Sequence, residues 1–468
     1  MKDSVAELRG LFAGKLFTQQ QDMAPFLTDW RGMWHGYALA VALPDRVDDV
    51  ARIIRWCHDH DVPVVPQGGN TGLSGAATPD KTGRSIVLSL VRLNRIRGID
   101  KLNNTMVVEA GCLLQHIQDA AREADRLFPL SLAAEGSCTI GGNLATNAGG
   151  TAVLRYGNAR DLCLGLEVVT ADGRIWSGLR GLRKDNTGYA LRDLFIGSEG
   201  TLGIITAAVL KLYPLPAARV VAFSALNNLE EAVSFLDSAM RRLGSSLTGF
   251  ELMSAETLDL VIKHFPEARN PLETRAPWYV LSEVSDLASE ENAVHALEEI
   301  LSEAVENGTV ADAVIAQSLA QSESLWALRE DASEAQGMEG KAVKHDISVP
   351  ISQIPDFIAA ASRLLNNQFP GDRLIVFGHL GDGNLHFNIS PPVGEDGAGL
   401  IARQDAINRT VHDLVAAYDG SISAEHGLGV LRHAEARRYK SPVEWELMGT
   451  IKSALDPKGL MNPGKIFA

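Results

Sequence analysis

Gln67-Gly68-Gly69-Asn70-Thr71-Gly72-Leu73-Ser74-Gly75 follows directly on the apolar stretch VPVVP at 62–66. Glycine permits positive φ, so successive N–H groups of such a loop are able to converge on one anion, and a pyrophosphate is the obvious ligand. The loop lacks both the Gly-Lys-Ser/Thr end of a Walker A motif and the GxGxxG spacing of a Rossmann motif. This segment alone leaves two interpretations open, a pyrophosphate loop and an ordinary glycine-rich turn.

Two further glycine-rich stretches favour the first interpretation. Residues 135–150 read EGSCTIGGNLATNAGG, and residues 197–203 read GSEGTLG. Glycine inside a helix or strand costs about 0.5–1 kcal/mol, so a long run of small residues is expensive in regular structure. We therefore expect 135–150 to leave a groove lined by backbone donors and hydroxyls, and 197–203 to open a strand.

Composition and charge exclude several classes of protein. The chain has 468 residues, of which 46% are apolar and 22% charged, as in globular proteins rather than disordered or fibrous ones. Its net charge of −15 disfavours nucleic acid as a partner. No apolar run approaches the ~20 residues of a membrane span, and the first residues do not resemble a signal peptide. The four cysteines are scattered along the sequence, as in proteins whose thiols stay reduced, so we expect a cytoplasmic protein.

The remaining pattern predicts an α+β fold. Asp45 is the predicted cap of an early helix, and from about residue 215 amphipathic helices alternate with strands, which predicts a sheet with helices on one face. The predicted helices in this part lie near 228–243, 251–265, 287–306, 318–336, 352–367 and 400–417. The predicted domains are two glycine-rich lobes at 1–215 with a boundary near 105, an inserted α+β domain at 216–425, and a C-terminal segment at 426–468 that returns to the first part.

Two histidines lie close together in VFGHLGDGNLHFNIS at 376–390. Asp382-Gly383 is a strong type I′ turn signal, and a two-residue hairpin centred there pairs His379 with His386. Cross-strand partners have Cβ atoms about 4.5–5.5 Å apart, and Asn388 faces the same way, so the two imidazoles suit one divalent metal. The alternative is a pair of structural histidines. A looser turn still allows both rings to reach one ion, without direct pairing.

Glu425 and His426 are neighbours in SISAEHGLG at 421–429. Neighbours on a regular strand point to opposite faces, but Gly427 and Gly429 allow the chain to leave strand geometry. A carboxylate would complete a His₂Glu set with one position open, which is the pattern of a catalytic zinc. The alternative is a solvated loop carboxylate.

Basic residues in the second half suggest an anion site. Arg329 and Ser333 stand at i and i+4 of a predicted helix, so they present together, and Lys344 follows. An arginine fork binds a carboxylate in two places. The alternative for Arg329 is a surface salt bridge with Glu330 or Glu334.

Other reactive side chains are expected to be structural or exposed. His58 and His60, beside two aspartates, are predicted to be exposed, and Cys138 is predicted to pack. His345 adjoins a predicted strand and is left open.

Four segments together resemble the FAD-binding proteins of the vanillyl-alcohol-oxidase and p-cresol-methylhydroxylase family. They are PVVPQGGNTGLSG (63–75), GGNLATNAGGTAVLRYGNARD (141–161), LFIGSEGTLGIIT (194–206) and the closing LDPKGLMNPGKIF (455–467). The resemblance includes TDWRGMWHG (28–36) and covers nearly the whole chain. Its nearest subfamily is that of D-2-hydroxyglutarate dehydrogenase, with flavin-dependent D-lactate dehydrogenase and the glycolate oxidase flavin subunit nearby.

The resemblance implies where FAD binds. The first loop would hold the pyrophosphate, and the second stretch would lie along the ribityl chain and the isoalloxazine. The implied cofactor-binding residues are Gln67, Gly68, Gly69, Asn70, Thr71, Gly72, Ser74, Glu135, Gly136, Thr139, Gly142, Asn143, Thr146, Asn147, Gly149, Gly200, Ile205 and Asn462. Relatives that attach FAD covalently use a His or Cys in the first loop, and since this loop has neither, non-covalent FAD is expected.

The resemblance also implies a metal and a substrate site. His379, His386 and Glu425 would bind a divalent metal, with zinc expected, and His426 would be the catalytic base. The implied substrate-binding residues are Arg329, Ser333, Lys344, Asn388 and His426. The family usually has Thr where this chain has Ser333, so the hydroxyl is kept and a methyl group is lost.

The expected activity is oxidation of D-2-hydroxyglutarate to 2-oxoglutarate, with the C2 hydride passing to flavin N5. D-lactate or another D-2-hydroxy acid is the alternative substrate, and a non-catalytic flavin-binding subunit is the alternative from another class. An electron-transfer flavoprotein or a quinone is the expected electron acceptor, and a homodimer is left open.

Overall fold

The computed structural model describes residues 2–467, without the side chains of residues 2–4 and 6. The described residues form two compact units. The first holds those of Met1–Gly149, Gly157–Leu215 and Glu425–Ala468, and the second holds Gly150–Tyr156 and Pro216–Ala424. The lobe boundary near 105 and the predicted domain limits stay predictions.

The first unit contains two main sheets. Its strands are β1 Lys15–Phe17, β2 Ala40–Leu43, β3 Val64–Gln67, β4 Ile86–Ser89, β5 Ile96–Asp100, β6 Thr105–Glu109, β7 Arg126–Leu127, β8 Cys163–Thr170, β9 Ile175–Ser177, β10 Gly203–Lys211 and β11 Tyr213–Pro214. A mixed sheet has the order β1-β2-β4-β3 and an antiparallel sheet has the order β5-β6-β10-β8-β9, with β7 and β11 forming a small ribbon. Because β3 runs parallel to β4 and ends at Gln67, the first glycine loop leaves the carboxyl end of a buried strand.

The other regular elements of the first unit are helices. They are α1 Lys2–Leu11, α2 Gln20–Leu27, α3 Val47–Asp59, α4 Leu114–Glu123, α5 Ile140–Thr146, α7 Leu191–Phe195, α16 His433–Tyr439 and α17 Pro442–Leu455, while α6 Val153–Tyr156 belongs to the second unit. The predicted cap at Asp45 is wrong. Arg46 occupies the N-cap position of α3 without a side-chain hydrogen bond, because Asp45 accepts hydrogen bonds from Arg92 instead.

The second unit is built on an antiparallel seven-stranded sheet of order β15-β12-β14-β13-β17-β18-β16. Its strands are β12 Ala218–Leu226, β13 Leu247–Ser254, β14 Trp278–Asp286, β15 Asp312–Ile315, β16 Asp346–Ser348, β17 Arg373–His379 and β18 Asn384–Ser390. Its further helices are α8 Leu229–Leu243, α9 Ala255–His264, α10 Glu290–Glu306, α11 Leu319–Glu330, α12 Ala332–Met338, α13 Ile354–Gln368, α14 Ala398–Ala402 and α15 Gln404–Ala417. Both units combine helices with sheets, so the predicted α+β class is confirmed.

Two predicted helices of the second unit are wrong in their limits. The first residues of the predicted helix 251–265 belong to the buried strand β13, and α9 begins only after Ser254, whose side chain caps it. The predicted helix 318–336 breaks at Asp331. Arg329 and Ser333 therefore lie on two different helices, and their predicted i, i+4 presentation on one helix fails.

The closing segment of the chain packs beside β3 in the first unit. Val64 N donates to Leu460 O and Asn462 N donates to Val64 O, both at 2.8 Å. These bonds place Asn462 next to the strand that leads into the first glycine loop. Within residues 2–467, no helix is long and apolar enough to cross a membrane.

Candidate active site

The first two glycine-rich stretches lie directly against each other. A β-carbon added at Gly69 would lie 2.0 Å from Ser137 O, and one at Gly68 would lie 2.2 Å from Thr139 Oγ1. Real β-carbons do not approach other heavy atoms so closely. Because Ser137 O is a backbone atom, Gly69 serves a close approach of backbone to backbone within the first unit, whereas Gly68 adjoins the Thr139 side chain.

Two polar side chains of the first loop hold its shape. Gln67 Nε2 donates to Phe26 O at 3.0 Å and to Ala77 O at 2.9 Å. Asn70, in the left-handed conformation at φ +55°, donates from Nδ2 to Thr28 O at 2.8 Å. Both N–H groups of Gln67 are therefore used within the protein, which makes this residue a support of the loop.

The third stretch joins the same region. Gly200 has φ +71°, and a β-carbon there would lie 2.3 Å from Pro66 Cγ. Glu199 N donates to Ala145 O at 2.8 Å, which ties this stretch to α5. Three segments far apart in the sequence therefore meet at the end of β3.

Three buried polar atoms in and near the glycine-rich stretches lack hydrogen-bond partners in the part of the chain that the structure describes. Thr139 Oγ1, Asn143 Oδ1 and Asn462 Oδ1 are buried and have no hydrogen-bond partner among residues 2–467. An unsatisfied buried polar group costs about 1–3 kcal/mol, so each of these atoms would be stabilised by a ligand that offers it a polar partner. A β-carbon added at Gly72 would meet no atom within 4 Å, which shows open space at the loop. These features fit the polar, extended FAD that the resemblance implies.

The predicted residues at the end of α5 also make hydrogen bonds within the protein. Thr146 Oγ1 donates to Gly142 O at 3.1 Å. Asn147 ends the helix at φ +53°, and its Oδ1 accepts a hydrogen bond from Arg160 N at 2.9 Å. These contacts fix the direction in which the chain runs on to Gly149.

The other predicted cofactor residues differ in exposure. Thr71 and Glu135 are half-buried, Gly136 is exposed, and Ile205 is buried on β10. Cys138 is buried and unpaired, and burial raises the pKa of its thiol, which agrees with the packing role predicted for it.

Glu199 anchors the segment that follows Glu425 and His426. Its Oε1 accepts a hydrogen bond from Leu428 N at 2.7 Å and its Oε2 accepts one from Gly429 N at 2.8 Å. Burial raises the pKa of Glu199, although these two amides act in the opposite direction. The carboxyl group thus fixes two consecutive backbone amides within the first unit.

Ser74 holds the same segment from the first glycine loop. Its Oγ lies 3.2 Å from both His426 O and Gly427 O, to which it donates. Gly427 has φ +71°, so the chain leaves strand geometry there, and one ligand atom each of Glu425 and His426 lie within 4.8 Å of one another. A β-carbon at Gly149 would lie 2.7 Å from Glu425 Oε1, so this carboxylate adjoins the second glycine stretch.

The histidine pair of the second unit is close, but its register differs from the prediction. A 3-10 turn at Leu380–Asp382 joins the strands, so that His379 pairs with Asn384 and His386 pairs with Phe377. The predicted direct pairing is wrong because this turn needs more than two residues. Both rings still share a face, with centroids 5.7 Å apart and one nitrogen of each within 4.8 Å of the other.

Glu251 is a functional candidate that the sequence did not indicate. It is the cross-strand partner of His379 and is 1% exposed. Its Oε1 lies 2.7 Å from His379 Nδ1, and its Oε2 accepts a hydrogen bond from Arg329 Nε at 2.9 Å. Burial alone would raise the pKa of Glu251, but His379 and Arg329 outweigh it and hold that pKa below its usual range.

Arg329 is buried, which excludes a surface salt bridge. Only 7% of the residue is exposed, its ion pair is with Glu251 rather than Glu330 or Glu334, and its guanidinium lies 4.9 Å from the centre of the Phe377 ring. Among residues 2–467, none accepts a hydrogen bond from the two terminal nitrogens of the Arg329 guanidinium group. The planar fork is therefore available to a carboxylate.

The other predicted substrate residues differ from one another in burial. Ser333 is exposed and Lys344 is half-buried just before β16. Asn388 is buried, its Oδ1 accepts a hydrogen bond from His345 N at 3.1 Å, and its Nδ2 donates to Gln336 Oε1 at 2.9 Å. Asn388 thus supports the sheet, whatever else it binds.

Three further histidines, His58, His60 and His345, are not predicted to bind the metal. Nδ1 of His345 lies 2.9 Å from Phe387 O and its Nε2 lies 3.0 Å from Asn408 Oδ1, so both ring nitrogens have hydrogen-bond partners within the second unit. His60 is exposed and His58 is half-buried. Of the described donors, none of these three histidines belongs to a group close enough to hold a metal ion.

Comparisons with known proteins identify the family. Residues 38–178 match a family model described as an FAD binding domain, and residues 215–466 match the C-terminal domain of FAD linked oxidases. The D-2-hydroxyglutarate dehydrogenase of Xanthomonas citri pv. viticola is 40% identical over 97% of this chain and 94% of its own length. The mitochondrial D-2-hydroxyglutarate dehydrogenase of Arabidopsis thaliana is 39% identical over 94% of this chain and 77% of its own length.

A solved structure supports the same fold. p-Cresol methylhydroxylase with substrate bound has a TM-score of 0.78 at 17% identity, and the alignment covers 99% of this chain and 96% of that one. The chain therefore belongs to the FAD-linked oxidases and is an FAD-dependent oxidoreductase. The predicted family, fold and enzyme class are confirmed.

Proposed function

We propose that this chain is an FAD- and metal-dependent dehydrogenase that oxidises D-2-hydroxyglutarate to 2-oxoglutarate. Relatives with that name match nearly its whole length at 39–40% identity. The observation that carries the proposal is the buried Glu251, which binds both an arginine with available terminal nitrogens and a histidine of a close donor pair. A 2-hydroxy acid offers a carboxylate to such an arginine and oxygen ligands to a metal.

The proposed metal ligands are His379, His386 and Glu425. The donor set of two imidazoles and one carboxylate suits a divalent ion with an open position, and zinc is the proposed ion. Ala424 N donates to Asp346 O at 3.2 Å, and Asp346 is the strand partner of His386. Glu425 follows Ala424 directly in the sequence.

The proposed FAD site uses the three glycine-rich stretches and Asn462. Binding would be non-covalent, because residues 67–75 contain neither histidine nor cysteine. FAD, when bound, supplies the acceptor for the substrate's C2 hydride. The unpartnered oxygens of Thr139, Asn143 and Asn462 would bind the cofactor's polar groups.

The protein's own side chains would perform binding and proton transfer. Arg329, helped by Lys344 and Ser333, would hold the substrate carboxylate oxygens and so orient the acid. His426 would accept the 2-hydroxyl proton on a ring nitrogen, since an unperturbed imidazole titrates near neutral pH. A divalent metal, when bound, lowers the pKa of that hydroxyl group. Ser74 and Glu199 would keep the His426 backbone in place.

An anaerobic visible spectrum tests the proposal. The purified holoprotein is titrated with D-2-hydroxyglutarate, D-lactate and their L-forms, and we expect only D-2-hydroxyglutarate to bleach the ~450 nm flavin band at low concentration. Bleaching by D-lactate alone would reassign the substrate. If no hydroxy acid reduces a protein fully loaded with flavin and metal, the dehydrogenase proposal fails and a flavin-binding subunit takes its place.

Two further parts of the proposal concern the surroundings. An electron-transfer flavoprotein or a quinone would take the electrons from the reduced flavin. We propose a cytoplasmic location, which is supported by four buried thiols that form no disulfides, Cys57, Cys112, Cys138 and Cys163.

A further inference from the structure

Glu251 occupies a position where a carboxylate is costly. It lies on the inner strand β13, in a run of eight residues that are all buried, and the strand is flanked by β14 and β17. A buried charge persists only when it is paired and hydrogen-bonded, because its desolvation is expensive. The partners here are two residues with proposed functional roles, His379 and Arg329.

We propose that Glu251 is a positioning residue that sets the metal-binding tautomer of His379 and the direction of the Arg329 fork with a single carboxylate. The inference rests on the proposed function, in which His379 is a metal ligand and Arg329 binds the substrate carboxylate. Neither the glycine-rich stretches nor the His426 segment takes part in it.

Sheet geometry fixes the histidine side of this arrangement. Glu251 and His379 are direct cross-strand partners, so their side chains leave the sheet on the same face. An ionised carboxylate only accepts hydrogen bonds, so at 2.7 Å His379 Nδ1 must carry the proton. The lone pair of the neutral ring is then on Nε2, which is the form a metal requires, and such outer partners are a general feature of metal-binding histidines.

The arginine side is fixed by two contacts. Nε donates to Glu251 Oε2 at 2.9 Å, and the guanidinium lies over the Phe377 ring at 4.9 Å. Phe377 lies two residues before His379 on the same strand and face, so β17 contributes to both. With Nε occupied by Glu251, the terminal nitrogens of Arg329 are the part of the fork that meets a substrate.

Glu251→Gln provides a specific test because an amide cannot serve both partners in the same way. Arg329 offers only donors, so the amide oxygen must face it and the amide N–H must face His379. His379 Nδ1 must then accept, which moves the ring proton to Nε2 and removes the lone pair for the metal. We expect Glu251→Gln to weaken zinc affinity by about 10- to 100-fold, as for other outer partners of metal ligands.

Zinc affinity is measured on metal-free, FAD-loaded protein by competition with a chromogenic chelator. FAD content and thermal unfolding show whether each variant is folded. Glu283→Gln is the matched control, since Glu283 lies in the same sheet on β14 and accepts hydrogen bonds from Thr248 Oγ1 at 2.8 Å and Trp326 Nε1 at 3.1 Å. The control should bind zinc as the unmodified protein does. A folded Glu251→Gln protein with unchanged zinc affinity would overturn the proposal.

A second-site variant separates the tautomer effect from general loss of packing. In Glu251→Gln/Arg329→Met, no arginine holds the amide oxygen, so the amide is able to turn its oxygen to His379 Nδ1–H and restore the metal-binding tautomer. Zinc affinity should then recover at least severalfold relative to Glu251→Gln alone. A merely structural role predicts further loss instead, and no recovery would refute the tautomer mechanism.

If Glu251→Gln does not fold, a measurement on the unmodified protein tests the inference. Histidine ring ¹⁵N NMR of the metal-free unmodified protein should then show His379 protonated at Nδ1, and protonation at Nε2 alone would overturn the inference. The test is also separable from the proposed function. If the unmodified protein binds no zinc, the metal-dependent function itself fails, whereas tight zinc binding that ignores Glu251→Gln refutes the inference alone.

Discussion

Gly69→Ala tests whether close contact between two glycine-rich stretches builds the cofactor site. The added β-carbon would lie 2.0 Å from Ser137 O, and an unstrained C···O contact is about 3.3–3.6 Å, so the backbones must separate by about 1.3 Å. Overpacking of this kind costs about 1–3 kcal/mol. For a unit of this size, that lowers the Tm by about 2–12 °C. The measurement is thermal unfolding of FAD-free protein, followed by the Kd of FAD.

Gly72→Ala is the matched control in the same loop. A β-carbon at Gly72 would meet no protein atom within 4 Å, so the FAD-free protein should keep its Tm. If FAD occupies the open space, the same variant should still weaken FAD binding, and we expect a loss of tenfold or more. Equal Tm values for FAD-free Gly69→Ala and unmodified protein would refute the argument that Gly69 is needed for a close backbone approach.

The remaining predictions concern the base, the metal and one ion-pair cluster. His426→Ala should retain FAD and zinc yet slow anaerobic flavin reduction by on the order of 10²-fold or more, and a normal rate would remove His426 from the role of base. Chelation should abolish activity with the fold intact and zinc should restore it, whereas unfolding on chelation would indicate a structural metal. Glu339 accepts from Lys263 and His264 and from Arg373, which lowers its pKa from 4.5 to about 2. Because the folded pKa is depressed, the stabilisation over Glu339→Gln should be present above pH ~4.5 and fade towards pH ~2 in urea unfolding, and a pH-independent difference would contradict this.

The histidine pair shows what local patterns predict and where they fail. Turn chemistry around Asp382-Gly383 correctly indicates two strands with His379 and His386 on one face. The register of the two strands depends on whether the turn between them has two residues or four. The 3-10 turn at Leu380–Asp382 belongs to a four-residue connection. Since the strand period is two, the rings stay on one face despite the altered pairing, which is why the proposed ligand pair survives the error.

Strand β13 of the second unit is missed for a different reason. Every residue of β13 is buried, so the alternation that reveals a half-exposed strand is absent. The apolar residues of α9 are spaced as in a helix, and the predicted helix therefore begins too early, at Glu251. Ser254, whose side chain accepts a hydrogen bond from Thr257 N, is the capping signal that marks the true start of that helix.

Glycine-rich loops are easier to recognise than Glu251 because clustered glycines are visible in the sequence itself. The run 67–75 stands out within nine residues, although the contact that requires Gly69 is with Ser137, whereas nothing near Glu251 in the sequence marks its partners 78 and 128 residues away. The segment GFELM nevertheless contains a signal, a lone carboxylate among large apolar residues. Once such a segment is assigned to a buried strand, the cost of desolvation demands a cationic or proton-donating partner. The chain contains 43 lysines and arginines and 12 histidines, so the sequence does not single out those partners. The structure identifies them as Arg329 and His379, around which the proposed substrate and metal sites are built.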